Sequence, residues 1–510
     1  MSLAQTNSQY DSESIAGLIA NDASGSPYFM IKVNDPIKQL RENTEFSVIK
    51  KLNEAYYIIK SNDNRRITSN TVERGTIWPV RNAWKESLTL EGINPKAKRQ
   101  FVVRATCKNL SSNSRSLKIR EFPKLSDTYL VEGSLNEVRK QLLDNECVTY
   151  IGNESFSPET EAIVNDLNFT FNRISAIHSK YPENNGEGII ISLKEKQFDV
   201  EDIDLLGKNI PSGINSNSTD NHATEMATII AGSGNTFITG KGVAFGAKLS
   251  SSDFFDIIPD TDDEYERLSV DAQNHSYGTV IENFYGTLAE AYDVSSYQNP
   301  EILHVFSAGN AGLTTSTEGP YAGIPETANL TGNFKSSKNT IAVGSVDEEG
   351  NLIGFSSRGP AFDGRIKPEL VTYSKLGTSN SAAMVSGLGA LLNQKYREDF
   401  NKIPSAALLI AILITSATDV EAKGIDYQTG FGNINGERAF ENLANSQFHQ
   451  GALSDSEQIT FTLDIPANAQ NLKVTLAWTD SASSAGSLDV LINDLDLKVT
   501  KDTEEWLPWG

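Results

Sequence analysis

Gly377-Thr378-Ser379-Asn380-Ser381-Ala382-Ala383-Met384-Val385-Ser386-Gly387 sets an exposed serine ahead of an unusually small-residue helix, with hydroxyl residues and a glycine beside it. Small residues let a helix bury deeply against its neighbours. The helix N-terminus, with its dipole and free N–H groups, favours negative charge developing beside the serine. That is how a nucleophile is presented. The plainer alternative is an ordinary helix start with Thr or Ser as N-cap, so partners for the serine have to be found elsewhere in the chain.

Asn221-His222-Ala223-Thr224-Glu225-Met226-Ala227-Thr228-Ile229-Ile230-Ala231-Gly232 predicts a second helix, with an imidazole in its first turn. Of the five histidines, His222 is the candidate general base. His304, inside Ile302-Leu303-His304-Val305-Phe306, reads as a satisfied core histidine, while His178 and His449 read as solvated and His275 has no assigned role. Ser307-Ala308-Gly309-Asn310-Ala311-Gly312 follows that apolar strand and offers a side-chain amide. A tetrahedral intermediate needs donors aimed at its oxygen, and losing one costs roughly 10²–10³ in turnover. Together these segments resemble the histidine, oxyanion and nucleophile motifs of the subtilisin-like serine peptidases (subtilases), in that family's chain order.

The resemblance makes Ser379 the nucleophile, His222 the base and Asn310 the oxyanion donor, and it implies a carboxylate upstream. Gly188-Ile189-Ile190-Ile191-Ser192-Leu193-Lys194-Glu195-Lys196-Gln197-Phe198-Asp199, running on to Asp204-Leu205, lies on the family's first-strand pattern without a gap. That register puts Glu195 where subtilases usually have aspartate, and Asp199 is the alternative. A glutamate needs a backbone roughly 1 Å or so further away, and the orienting carboxylate is worth about 10⁴ in turnover in the Ser-His-Asp template. Asn274-His275-Ser276-Tyr277-Gly278 resembles the edge strand that pairs with substrate backbone, so Ser276, Tyr277 and Gly278 are candidate substrate-binding residues. The family pattern is also altered at Ala383, for a usual proline, and at Asn380, for a frequent methionine. Ala223 and Glu225 stand where glycine and a second histidine are common. His222 and Glu225 share a helix face at metal-ligand-like spacing, but no His-Glu-x-x-His occurs, so metal hydrolysis has little foothold.

Apolar strands near 189–193, 247–255, 270–275, 302–307 and 340–346 alternate with helices. The fold class expected is α/β, a doubly wound parallel sheet with its site at the carboxyl ends of the strands. Three regions are expected: an N-terminal α+β pro-domain-like region over 1–160, a catalytic domain over 161–450, and a β-sandwich portion over 451–510. In the first, Lys51–Ser61 is echoed by Lys124–Ser134, each a turn leading into a strand, which suggests a duplicated module; 152–161 reads as a processing linker. In the last, Ile459–Leu463, Leu472–Trp478 and Asp489–Val499 alternate as strands and resemble part of a P-domain-like sandwich, with fewer residues than a whole one needs.

The 510 residues carry a net charge of −22, which argues against nucleic acid or an anionic membrane as partner. The chemistry needs no cofactor. Asp260-Thr261-Asp262-Asp263-Glu264, the densest acidic cluster, leaves room for structural calcium beside its reading as a solvated loop. No apolar run approaches the roughly 18 residues of a membrane span, and Met1–Asn7 reads as a start after a removed signal. Cys107 and Cys147 allow one disulfide or two buried thiols. The resemblance thus implies a secreted serine endopeptidase acting on polypeptides, with its N-terminal region contacting its own cleft. A latent or weakly active binding protein on the same fold is the alternative.

Overall fold

Residues 303–307 show how the central sheet is made. In a strand successive side chains point to opposite faces. Leu303 and Val305 accordingly join the core beneath the helix Thr378–Phe400, while Phe306 joins a second cluster with Tyr292 and Phe334 on the other face. A strand buried on both sides must lie inside a sheet covered by helices on each face. The computed structural model of the chain describes residues 12–20, 26–33, 46–53, 55–62, 75–107, 110, 116–122, 125–153, 159–160 and 169–508.

The N-terminal region holds two four-stranded sheets. β1 (Tyr28–Val33), β2 (Phe46–Lys51), β3 (Tyr56–Ser61) and β4 (Gly75–Pro79) run in the order β2-β3-β1-β4. β5 (Lys98–Ala105), β6 (Lys118–Glu121), β7 (Thr128–Ser134) and β8 (Val148–Gly152) repeat it as β6-β7-β5-β8. The echo noted between 51–61 and 124–134 falls on the third strand of each sheet. After β7, Ser134 and Glu137 form a capping box that starts a helical turn leading back towards β8. β9 (Glu159–Thr160) then follows within the expected linker, of which 154–158 and 161 lie outside the described residues.

β10 (Ile190–Glu195), β11 (Lys248–Asp253), β12 (Ala272–His275), β14 (Leu303–Ser307), β15 (Ile341–Val346) and β16 (Leu370–Tyr373) form one parallel sheet, with β13 (Tyr277–Gly278) standing apart. Its order is β11-β10-β12-β14-β15-β16, so the chain reverses its direction of travel beside β10. Ligand crevices of such sheets open at the carboxyl ends of the strands at that point. The helices Asn221–Ala231 and Thr378–Phe400 pack together over one face. The Thr378–Phe400 helix also passes close to the turn before β11, where a Cβ on Gly387 would stand 2.6 Å from Val243 Cβ.

Residues 451–477 differ from expectation. Ile459, Phe461, Leu463, Leu472, Val474 and Leu476 alternate in an extended chain, but they stay roughly half exposed and no ladder pairs them among the described residues. Phe461 stacks on His449, and among the described residues of this region only β17 (Val499–Lys501) and β18 (Glu504–Trp506) pair, as a hairpin. The acidic cluster is also used differently. Thr261 caps the helix Asp262–Leu268 with Glu264, while Asp260 is buried on Lys194 (2.7 Å), Ser252 (2.7 Å) and Gln273 (2.7 Å). Burial pushes the Asp260 carboxyl up, but the Lys194 charge and these hydrogen bonds outweigh it and hold it below the usual carboxylate range. Those contacts occupy Asp260, and no group of three or more metal-ligating side chains occurs among the described residues. No described helix is long and apolar enough to cross a membrane.

Candidate active site

Glu195 is the last residue of β10, and His222 opens the helix Asn221–Ala231. Asp220 fixes that helix start by accepting from the His222 N–H (2.8 Å), which aims the imidazole back at the strand. His222 Nδ1 lies 3.2 Å from Glu195 Oε2, with both side chains buried. Asp199 is elsewhere: it is exposed, and its carboxylate accepts from the Glu201 N–H (3.0 Å). Burial lowers the His222 pKa, but the charge and hydrogen bond of Glu195, helped by Glu225 and Asp220, prevail and hold it above its ordinary value. Among the described residues His222 Nε2 has no hydrogen-bond partner.

Ser379 lies inside the first turn of the helix Thr378–Phe400 and is fully buried rather than exposed ahead of it. Its Oγ donates to the Ser276 carbonyl oxygen (3.1 Å), and Ser276 Oγ donates in return to the Ser379 carbonyl (3.0 Å). Two further hydroxyls tie this helix down: Ser386 donates to Asn274 Oδ1 (3.0 Å), whose Nδ2 donates to Ser276 Oγ (2.9 Å), and Ser381 meets Ser345 (2.9 Å). The start of the helix is therefore locked to the end of β12.

Asn310 sits beyond the end of β14 and is exposed. The Thr378 N–H (3.0 Å) and Oγ–H (3.1 Å) both donate to its Oδ1, which fixes the carbonyl end of the amide, and Thr378 Oγ itself accepts from the Gly309 N–H (3.1 Å). Thr378 is thus an orienting residue that the sequence offered only as part of Gly-Thr-Ser.

Ser276, Tyr277 and Gly278 are all buried, and β13 pairs antiparallel with β9: Tyr277 opposes Thr160 and Gly278 opposes Glu159. The other histidines sort out by burial. His275 Nε2 meets His304 Nδ1 (3.1 Å) in the core below β13, and burial drives both pKa values down, that of His304 to about 3. His178 is not solvated: its Nε2 bonds the Val243 carbonyl (2.7 Å), and its ring lies between Phe169 and Phe245.

An acyl transfer at serine asks for a base within reach, a carboxylate behind the base and an amide near the forming oxyanion. Glu195 and His222 meet at the end of β10, and Asn310 meets Thr378 beside Ser379 at the start of the Thr378–Phe400 helix, while among the described residues no hydrogen bond joins His222 to Ser379. Residues 186–432 match the family model Peptidase_S8, described as the subtilase family. The serine protease/ABC transporter B family protein tagA of Dictyostelium discoideum is 27% identical over 197 residues, a match covering 28% of this chain and 11% of that protein. The chain therefore matches only a small part of that relative's length. Among solved structures, the prenylagaramide maturation protease PagA is 19% identical with a TM-score of 0.42, covering 53% of this chain and 98% of that one. The patellamide maturation protease PatA is likewise 19% identical, with a TM-score of 0.39 over 51% of this chain and 98% of its own.

Proposed function

We propose that the chain is a serine endopeptidase that cuts polypeptides through an acyl-enzyme, with Ser379 as nucleophile, His222 as general base and Glu195 as the carboxylate that orients the imidazole. Asn310 and the Ser379 backbone N–H receive the oxyanion. The observation that carries this reading is the His222 Nδ1 to Glu195 Oε2 contact at 3.2 Å, which leaves Nε2 as the nitrogen that takes the serine proton. For that transfer Ser379 Oγ turns about one side-chain bond, away from the Ser276 carbonyl. His222 then holds the proton as imidazolium against Glu195 and returns it to the leaving amine.

Substrate backbone adds as a strand along Tyr277–Gly278. In this structure Glu159–Thr160 lies on that edge, which supports reading the N-terminal region as a pro-region that covers the cleft until it is cut away. A fluorophosphonate tests the core of the proposal, because it labels only an activated serine. One adduct mapped to Ser379, absent from the Ser379→Ala chain, is expected. No adduct, even after proteolytic removal of the N-terminal region, would overturn it.

A further inference from the structure

Residues 451–477 are mostly exposed, but at Asp480 the chain goes under the surface, and buried positions recur as far as Val490. Asp480 is the anchor. Its carboxylate accepts from Lys338 Nζ (2.5 Å), the Ile492 N–H (2.9 Å), the Asn493 N–H (3.0 Å) and Asn493 Nδ2 (2.8 Å). Its backbone exchanges two bonds with the Asn339 side chain (2.7 and 2.8 Å). Lys338 Nζ also holds the far end of the loop through the Val490 carbonyl (2.6 Å), so both ends of 480–490 are tied to the residues just before β15. A buried ion pair is tolerated only when its remaining hydrogen-bonding capacity is filled, and here it is.

The tip of the loop faces the other way, towards the N-terminal sheets. Ala485 shares one buried cluster with Val102, Leu130 and Tyr150 of the second sheet and with Phe254, Tyr277 and Leu288 of the catalytic domain. The Ala485 N–H donates to Glu290 Oε2 (2.9 Å), a carboxylate that also pairs with Arg104 of β5. Gly486, at φ +76°, lies against the Tyr150 ring: a Cβ there would stand 3.0 Å from Tyr150 Cε2 and 3.3 Å from Lys50 Nζ. Asp489 forms an ion pair with Lys51 of β2. The tip therefore touches both N-terminal sheets at once.

We propose that the 480–490 loop is a strap that fastens the N-terminal sheets to the catalytic domain, so that the N-terminal region stays bound after the linker is cut and leaves only when the strap yields. This rests on the reading of the N-terminal region as removable. Cutting the linker turns a tethered contact into a bimolecular one, and interface changes then act mainly on the rate of departure.

The test uses the full chain carrying Ser379→Ala, with residues 154–158 replaced by the recognition sequence of a separate site-specific protease. That added protease makes the cut, so the result does not depend on the chain's own activity. Failure of the active-serine reading shows separately, as missing fluorophosphonate label on the chain that keeps Ser379. Loss of the N-terminal fragment is followed by size exclusion over time. Asp489→Lys, which sets like charges opposite each other at a partly exposed position, is expected to speed release about ten-fold, and the swap Lys51→Glu/Asp489→Lys to restore it to within about three-fold. Gly486→Val, which pushes a side chain at Tyr150, is expected to speed release further. Should Gly486→Val fail to fold, the charge pair decides. Immediate release from the unvaried strap, or equal release rates for Asp489→Lys and the unvaried strap, would overturn the proposal.

Discussion

Shortening Glu195 by one methylene is the sharpest test of the site. The His222 Nδ1 to Glu195 Oε2 distance is 3.2 Å, already at the long end for N–H···O. Glu195→Asp withdraws the carboxylate by about 1.5 Å, one carbon–carbon bond, to roughly 4.7 Å, where no direct hydrogen bond survives. The β10 backbone is held against following, because Glu195 is paired with Asp253 of β11 and Ile191–Leu193 just ahead of it are paired on both sides, with β11 and with β12. The ordinarily preferred aspartate should therefore be the worse residue in this chain. kcat/KM is expected to fall by about 10² to 10⁴, the upper figure being that of a lost helper carboxylate in the serine-protease template, or about 2.7 to 5.4 kcal/mol. The pH profile supplies a second reading. His222 must be neutral to act, so activity is lost as pH falls through its pKa, which Glu195 and its neighbours hold above the ordinary value of about 6.5. Withdrawing the charge lowers that pKa, so the acid limb moves to lower pH even as the plateau drops. The assay is kcat/KM against pH on a peptide substrate, with the N-terminal region removed, alongside the rate of fluorophosphonate labelling. A Glu195→Asp chain as fast as the parent, or an Asp199→Asn chain that loses activity while Glu195→Gln keeps it, would refute the reasoning.

Asn310→Ala should lower kcat by roughly 10² to 10³ with little change in KM, the loss found when a subtilisin is stripped of one oxyanion donor; an unchanged kcat would remove Asn310 from the mechanism. Gly387→Ala should destabilise by roughly 1–2 kcal/mol, because its new methyl meets Val243, and Val243→Ala in the same chain should cancel that increment in a double-mutant cycle. Asp260→Asn leaves Lys194 buried without its counter-charge and should cost about 3–5 kcal/mol, read as a lower urea midpoint at constant slope. Because the Asp260 pKa is depressed, its contribution is in place above the usual carboxylate pKa and is lost as pH falls through the depressed one. The parent should therefore lose more stability than Asp260→Asn on acid titration.

The residues proposed as catalytic stand out in the sequence because each sits where one local element turns into another. His222 follows a capping Asp220, Ser379 opens a small-residue helix, Asn310 follows a buried strand, and Glu195 ends one. Such positions are marked by short patterns that survive without knowledge of the rest of the chain. What escaped depends on partners distant in sequence. The Ser379 hydroxyl rests on a carbonyl 103 residues away, and the half-buried His178 bonds a carbonyl 65 residues on. Asp260 reads as solvated with the rest of its acidic run, which holds for the exposed Asp262 and Asp263 but not for it. Its correction was nevertheless present in β10, where Lys194 stands between apolar Leu193 and the buried Glu195 in the strand interior. A lysine there cannot reach water, so some carboxylate had to come to it, and Asp260 heads the densest acidic run in the chain. The same rule separates the two halves of the C-terminal region. Alternating apolar residues at 459–476 join no ladder among the described residues and stay about half exposed, whereas Asp480 meets Lys338 and goes inside. Where a charge is forced inside, its partner fixes the path of the chain more firmly than an apolar pattern does, since a buried charge left unpaired costs more than a half-exposed leucine.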